Sequence, residues 1–310
     1  MALNRIVGSV LAVASGAALA LQARINAGLS AQSGDAIMTS LWSFGSGAVI
    51  LLLGVSVPPF RAGLLRLFRA LRSRKLPPYA LLTGVIGATL VILQSLVVSH
   101  VGVALFIVAV IAGQTIGAVV FDHFGAARAP RRTLSLVRVV AAALAVVGVV
   151  IGFGGDFNAG RSWWLLALPA GYGVVSAWQL LANGLIRWAA DSTFAATTAN
   201  FVVGSLCLAA VFAVVPAHPL PDMGQINPWL LTGGVLGVAL VAGLTRAVRS
   251  LGALALALHL IIGQLLAAVV LDLVVPVGVN SSQPGVIVSL VVVACGAVLV
   301  ALSGRRRAKR

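Results

Sequence analysis

The chain has 310 residues, of which 60% are hydrophobic and 9% charged, and it carries a formal net charge of +15. A soluble domain could not solvate such a surface, so the composition places the chain in a bilayer. Long Ala/Val/Leu/Gly stretches without period-two alternation argue against an outer-membrane barrel. No Walker A loop, metal-ligand cluster, nucleophile elbow or acid/base pair of carboxylates is visible, so neither catalysis nor ATP-driven pumping has apparatus here, and no cofactor or metal is called for.

Spanning helices need roughly 20 apolar residues each. Ten such runs lie near 5–29, 36–57, 79–99, 101–121, 134–154, 163–187, 192–215, 229–249, 251–275 and 284–303. The first follows Met1 to Arg5 and could mimic a secretory signal, but its length and its internal counterpart in the second half predict a retained helix. Between runs two and three, Pro58-Pro59 and Pro77-Pro78 bound a basic segment in which Phe60, Leu64, Leu67, Phe68 and Leu71 share a helical face opposite Arg66, Arg69 and Arg72. That pattern fits an interfacial amphipathic helix, with a solvated basic loop as the alternative. Between runs five and six, Gly154-Gly155-Asp156 and Asn158-Ala159-Gly160 predict a turn. Cys207 and Cys295 fall inside runs seven and ten as small packing residues.

The chain repeats itself. Val101-Gly102-Val103-Ala104-Leu105, Gly113-Gln114 and Phe121-Asp122 return 150 positions later as Leu251-Gly252-Ala253-Leu254-Ala255, Gly263-Gln264 and Leu271-Asp272. Gln22, Asn26, Phe44 and Gly47 return as Gln179, Asn183, Phe201 and Gly204 at an offset of 157. We therefore expect two five-helix units, residues 1–155 and 156–310, the second ending in a basic tail at 304–310.

Charge then orients the units. With the N-terminus cytoplasmic and ten helices following, 19 of the 21 Lys and Arg residues fall on the inner side, leaving only Arg24 and Arg161 outside. This asymmetry follows the positive-inside rule, puts both termini in the cytoplasm, and makes the basic charge an orientation and lipid-headgroup signal rather than a nucleic-acid footprint. An odd number of helices per unit makes the two copies antiparallel, an inverted-topology pair in a prokaryotic cytoplasmic membrane.

Amides and ionisable groups inside spans are costly and so are candidates for function. Gln22 and Asn26 lie one turn apart on one helix face, as do Gln179 and Asn183. Gln114 precedes Asp122 by eight residues, and Gln264 precedes Asp272 by eight, about 12 Å along a helix. Each glutamine therefore sits deep and each aspartate near a mouth. This suggests substrate binding by Gln22, Asn26, Gln114, Gln179, Asn183 and Gln264, with Asp122 and Asp272 as gates or proton carriers. The competing reading is interhelical glue, with the aspartates capping helices. Trp42, Trp178, Arg246 and His259 are further candidates. Arg246 and His259 break the repeat, standing opposite Leu96 and Ala109, and all four suggest specificity contacts. Against this, the tryptophans could be interfacial anchors, Arg246 could snorkel, and His259 could bond a neighbouring helix. Small-residue spacings at Gly113/Gly117, Gly148/Gly152 and Gly233/Gly237 allow close helix contact.

Gly16-x5-Gln22-x3-Asn26-x2-Leu29, with Val101-Gly102-x-Ala104, Gly113-Gln114 and Phe121-Asp122-His123-Phe124-Gly125, resembles the YdcZ-like branch of the drug/metabolite transporter superfamily. The chain looks like two five-helix members fused head to tail. Copy two departs after Asp272, where Leu273-Val274-Val275 replaces His-Phe-Gly. The resemblance implies an all-α membrane fold of ten helices as two inverted five-helix repeats, a central cavity built by the first four helices of each copy, and small-metabolite export. It also implies that the fifth and tenth helices are peripheral, where they could mediate a homodimer. Related small multidrug transporters couple protons to cations through a glutamate in helix 1; this chain has Gln22 and Gln179 near that depth and no glutamate, which disfavours that mechanism. The expectation is a secondary transporter of a small polar or amphipathic metabolite. The alternative is a non-transporting membrane scaffold or subunit whose polar residues serve helix packing.

Overall fold

The computed structural model describes residues 2–124, 136–152, 164–215, 224–275 and 284–308. Every long regular element among them is α-helical: α1 (Ala2–Ser33), α2 (Ala36–Leu53), α3 (Pro58–Arg72), α4 (Thr83–Phe124), α5 (Leu136–Gly152), α6 (Trp164–Ala190), α7 (Thr193–Val214), α8 (Gly233–Val274) and α9 (Pro284–Ala308). Single 3-10 turns, Pro78–Leu82 and Pro228–Thr232, lead into α4 and α8. Five described segments are long and apolar enough to cross a membrane, and four shorter apolar helices accompany them.

The expected separation of runs three and four is made by one residue. Gly102 has φ 82° and ψ 165° inside an otherwise helical stretch, so α4 consists of two arms, 83–101 and 103–124. That conformation is nearly closed to residues with a Cβ. The basic segment after α2 is the helix α3, not a loop. It buries Gly63, Leu67 and Ala70 against α6 and α7 and leaves Leu65 and Phe68 exposed. Pro58 and Pro59 open it, as suits residues lacking an N–H at a helix start.

Two tight turns mirror one another. Gly34 ends α1 at φ 69° and Asp191 ends α6 at φ 44°. The next residue caps the following helix in each case: Asp35 accepts from the N–H groups of Ile37 and Met38, and Ser192 from that of Ala195.

The packing crosses between the two halves. The α1 helix lies mainly on α8, α6 on α4, α2 on α7 and α5 on α9. Glycines make these seams. A Cβ on Gly113 or Gly173 would strike the facing backbone, Gly113 against Ala170 and Gly173 against Val110 and Gln114; Gly263 and Gly16 stand in the same relation to Val13 and to Leu260 and Gln264. Phe44 and Phe201 stack at 5.0 Å, and each also covers the other half's glycine, Gly204 and Gly47 respectively. Without a hydrophobic drive between helices in lipid, such backbone proximity is the main source of association. The small-residue spacings noted in the sequence are all used: Gly117 meets α6, Gly148 and Gly152 meet α9, and Gly237 meets Phe201 and Gln22. The α5–α9 pair exposes Val139, Val146, Val147, Val288 and Val291, among others. The inter-unit turn near 153–162 and the side chains of the basic tail lie outside the described residues.

Candidate functional site

At the centre, Gln114 and Gln264 line one small cavity of about 50 Å³ with Gln94, Tyr172, Phe106, Leu19, Ala23, Leu90, Ile107 and Val110. Each glutamine follows a seam glycine, Gly113 or Gly263, so the close α4–α6 and α8–α1 crossings bring the two amides to a shared space. That volume holds a water or two, which describes an occluded polar pocket. Tyr172 stands two helical turns before Gln179 on α6, and its hydroxyl donates to Gln179 Oε1 at 3.4 Å. The sequence reading missed Tyr172; its seven-residue spacing from Gln179, two turns along one helix face, is the signal that could have found it. Gln94 breaks the repeat, standing opposite Leu244, and that asymmetry is the sequence signal for it.

The other four expected amides are engaged between helices. Asn26 Nδ2 donates to Gln94 Oε1 at 2.7 Å. Gln179 Nε2 donates to the Thr83 carbonyl at 2.8 Å, and Asn200 Nδ2 to Asn183 Oδ1 at 2.9 Å. The Thr83 hydroxyl completes this second group by donating to Asn200 Oδ1. Gln22 is buried with its Nε2 over Gly237, as Gln179 Nε2 lies over Gly87. The two halves differ in detail. Thr83 and Asn200 in one network correspond to Gly233 and Ser43 in the other, and there Asn26 Oδ1 and Ser43 Oγ have no hydrogen-bond partner among the described residues.

Asp272 is 1% exposed. Its two carboxylate oxygens accept from the backbone N–H groups of Val103 and Ala104, at 2.9 and 2.8 Å. These are the first free N–H groups of the second α4 arm, opened by the break at Gly102, so an aspartate from one half caps a helix of the other. Arg24 is within Coulombic reach of Asp272, and its Nε has no hydrogen-bond partner among the described residues. Arg24 lies nine residues before the end of α1 at Ser33. The side chain of Asp122 lies outside the described residues.

The expected specificity residues do not converge on the cavity. Trp42 is 40% exposed and donates its indole N–H to the Leu231 carbonyl at 3.1 Å, tying α2 to the turn before α8. Trp178 lies near Tyr79, with ring centroids 6.3 Å apart. His259 bonds the Ala255 carbonyl of its own helix through Nδ1 at 2.7 Å rather than a neighbouring helix. Arg246 is exposed, as snorkelling requires.

A far larger chamber, about 820 Å³, opens beside α3 and between α2, α7 and the first part of α8. Ile50, Leu51, Phe60, Phe194, Thr197, Val238 and Val241 form much of its wall, and Arg66, Arg187, Trp188 and Asp191 also line it. Phe60 and Phe194 stack at 4.2 Å. Arg66 clamps the end of α6, donating from Nε to the Ala190 carbonyl at 2.7 Å and from Nη2 to the Asp191 carbonyl at 3.1 Å. A cation belongs at such a helix C-terminus. Two wall positions contrast with their counterparts in the other half: Val238 and Val241 are half-buried, whereas Ala88 and Val91 are each 2% exposed.

Apolar helices crossed on glycine seams, with amides buried at the crossings, define a multi-pass helical membrane protein. A family model described as "Putative inner membrane exporter, YdcZ", of the drug/metabolite transporters, matches residues 7–151 and again 162–299. The chain belongs to this family and consists of two consecutive units of it; the family is one of inner-membrane exporters, not of enzymes. No curated protein and no solved structure gave a match.

Proposed function

We propose that the protein is a secondary transporter that exports a small polar or amphipathic metabolite by alternating access, through ten spans arranged as two inverted five-helix halves, 1–155 and 156–310. The observation that carries this reading is the asymmetry between equivalent surfaces. Val238 and Val241 border an open chamber, whereas their repeat partners Ala88 and Val91 are packed shut. Exchanging the two states across the Phe44–Phe201 crossing would close one side and open the other around Gln114 and Gln264. By the distribution of Lys and Arg, the open side is cytoplasmic, which suits loading of a substrate for export. In this reading Gln114 and Gln264 contact substrate, Gln22, Asn26, Gln179 and Asn183 hold the helices around it, and Asp272 secures the break in α4.

The test uses spin-label pairs at Ile50/Ala242 and at the equivalent Cys207/Ile92, in nanodiscs, with Cys295 replaced by serine. Disulfide locking of Ile50→Cys with Ala242→Cys should close the chamber and lengthen the Cys207/Ile92 distance. A distance at the second pair that ignores the lock sinks alternating access. For a verified substrate, Gln114→Ala and Gln264→Ala should each lower flux in proteoliposomes by 10-fold or more, about the effect of losing 1.4 kcal/mol.

A further inference from the structure

Taken as an orientation signal, the basic residues of this chain need only lie on one side of the membrane. Two of them do more. Arg66 and Arg187 both line the open chamber, whose remaining wall is largely aliphatic and aromatic, with Phe60, Phe194 and Val241 in it. Arg66 uses two N–H donors on the α6 terminus, and its other donors meet no acceptor among the described residues. The Arg187 guanidinium makes no hydrogen bond or ion pair with any described residue. One carboxylate, Asp191, faces the same space, so the two guanidinium groups leave the chamber with one net positive charge. In the other half the positions of Arg187 and Asp191 are Ser30 and Gly34, so this charge belongs to one mouth only.

Resting on the transport reading above, we infer that the chamber admits an amphipathic anion, a carboxylate or phosphate monoester on an apolar body, with the anionic group at Arg187 and Arg66 and the apolar part against Phe60, Phe194 and Val241. A guanidinium fork suits the planar pair of oxygens on either group. The charge works before binding as well: in a low-dielectric cleft, one sign of charge concentrates the opposite one. The same chemistry occurs on a free metabolite and on an anionic lipid headgroup, and the stacked Phe60–Phe194 wall serves both.

The experiment measures binding to the intact protein in phosphatidylcholine nanodiscs. Hexyl phosphate and hexanoate are compared with hexyltrimethylammonium and hexanol. The anions should bind at least 10-fold more tightly than the matched cation and alcohol. Arg187→Gln should remove most of that preference and Arg187→Lys restore part of it. Arg187 is the better target because, unlike Arg66, it holds no other helix in place. Equal affinity for all four probes, or an anion preference unchanged in Arg187→Gln, overturns the inference and leaves alternating access standing. The transport reading fails separately, if the locked Ile50/Ala242 pair leaves the second distance unchanged. Phosphatidylglycerol in the nanodisc separates the two sources. Competition with hexyl phosphate identifies a lipid headgroup as occupant; undiminished binding identifies a soluble anion, and either supports the shared chemistry.

Discussion

Replacing Asp272 tests whether that aspartate holds the fold together or carries protons. The carboxylate is 1% exposed and accepts from two N–H groups at 2.9 and 2.8 Å. Asp272→Ala leaves both without partners and removes the charge that attracts Arg24. In water each such bond to a charged group is worth about 1.5–3 kcal/mol. Polar contacts between membrane helices average less, about 0.6 kcal/mol, because the unfolded chain in lipid finds other partners. Two bonds at membrane values therefore give about 1–3 kcal/mol for Asp272→Ala. Asp272→Asn keeps one acceptor oxygen and should cost about half as much. Reversible unfolding in mixed micelles reads the difference, with the exposed Leu273→Ala as a control expected within about 0.5 kcal/mol of the parent. The reasoning is refuted if Asp272→Asn unfolds like the parent while the pH dependence of transport disappears, because the carboxylate would then carry a proton rather than cap a helix.

Gly102→Ala forces a Cβ into φ 82°, ψ 165° and should destabilise the protein by about 1–3 kcal/mol, seen as a lowered melting temperature in detergent. Gly113→Leu and Gly263→Leu should both abolish a monodisperse peak in size-exclusion chromatography, because each side chain would enter a facing backbone; tolerance of either would contradict the seam. Asn200→Ala loses its bonds to Thr83 and Asn183 and should cost about 1–2 kcal/mol of stability with substrate affinity unchanged. A selective loss of affinity would move that network from packing to binding.

Much of this architecture was legible because it is written in local or periodic terms. Apolar runs marked the helices, and the alternation of Arg66, Arg69 and Arg72 with Phe60, Leu64 and Leu67 offered α3 beside a solvated loop. The recurrence of Gly113-Gln114 as Gly263-Gln264 located the pair that does line one cavity. Nothing in that recurrence separated these glutamines from Gln22 and Gln179, since a duplicated packing residue is repeated as faithfully as a binding one.

The sequence by itself determined a duplicated, helical membrane protein, because hydropathy, glycine content and repetition are properties of the chain read in one dimension. Only the tertiary structure decided that Asp272 caps a helix roughly 170 residues away in the chain, that Trp42 anchors a turn, and that Arg66 and Arg187 share a chamber. Those roles depend on which partner a polar group meets across a helix crossing. That choice is set by backbone proximity at glycine seams between distant segments, and no local pattern around the polar residue encodes it.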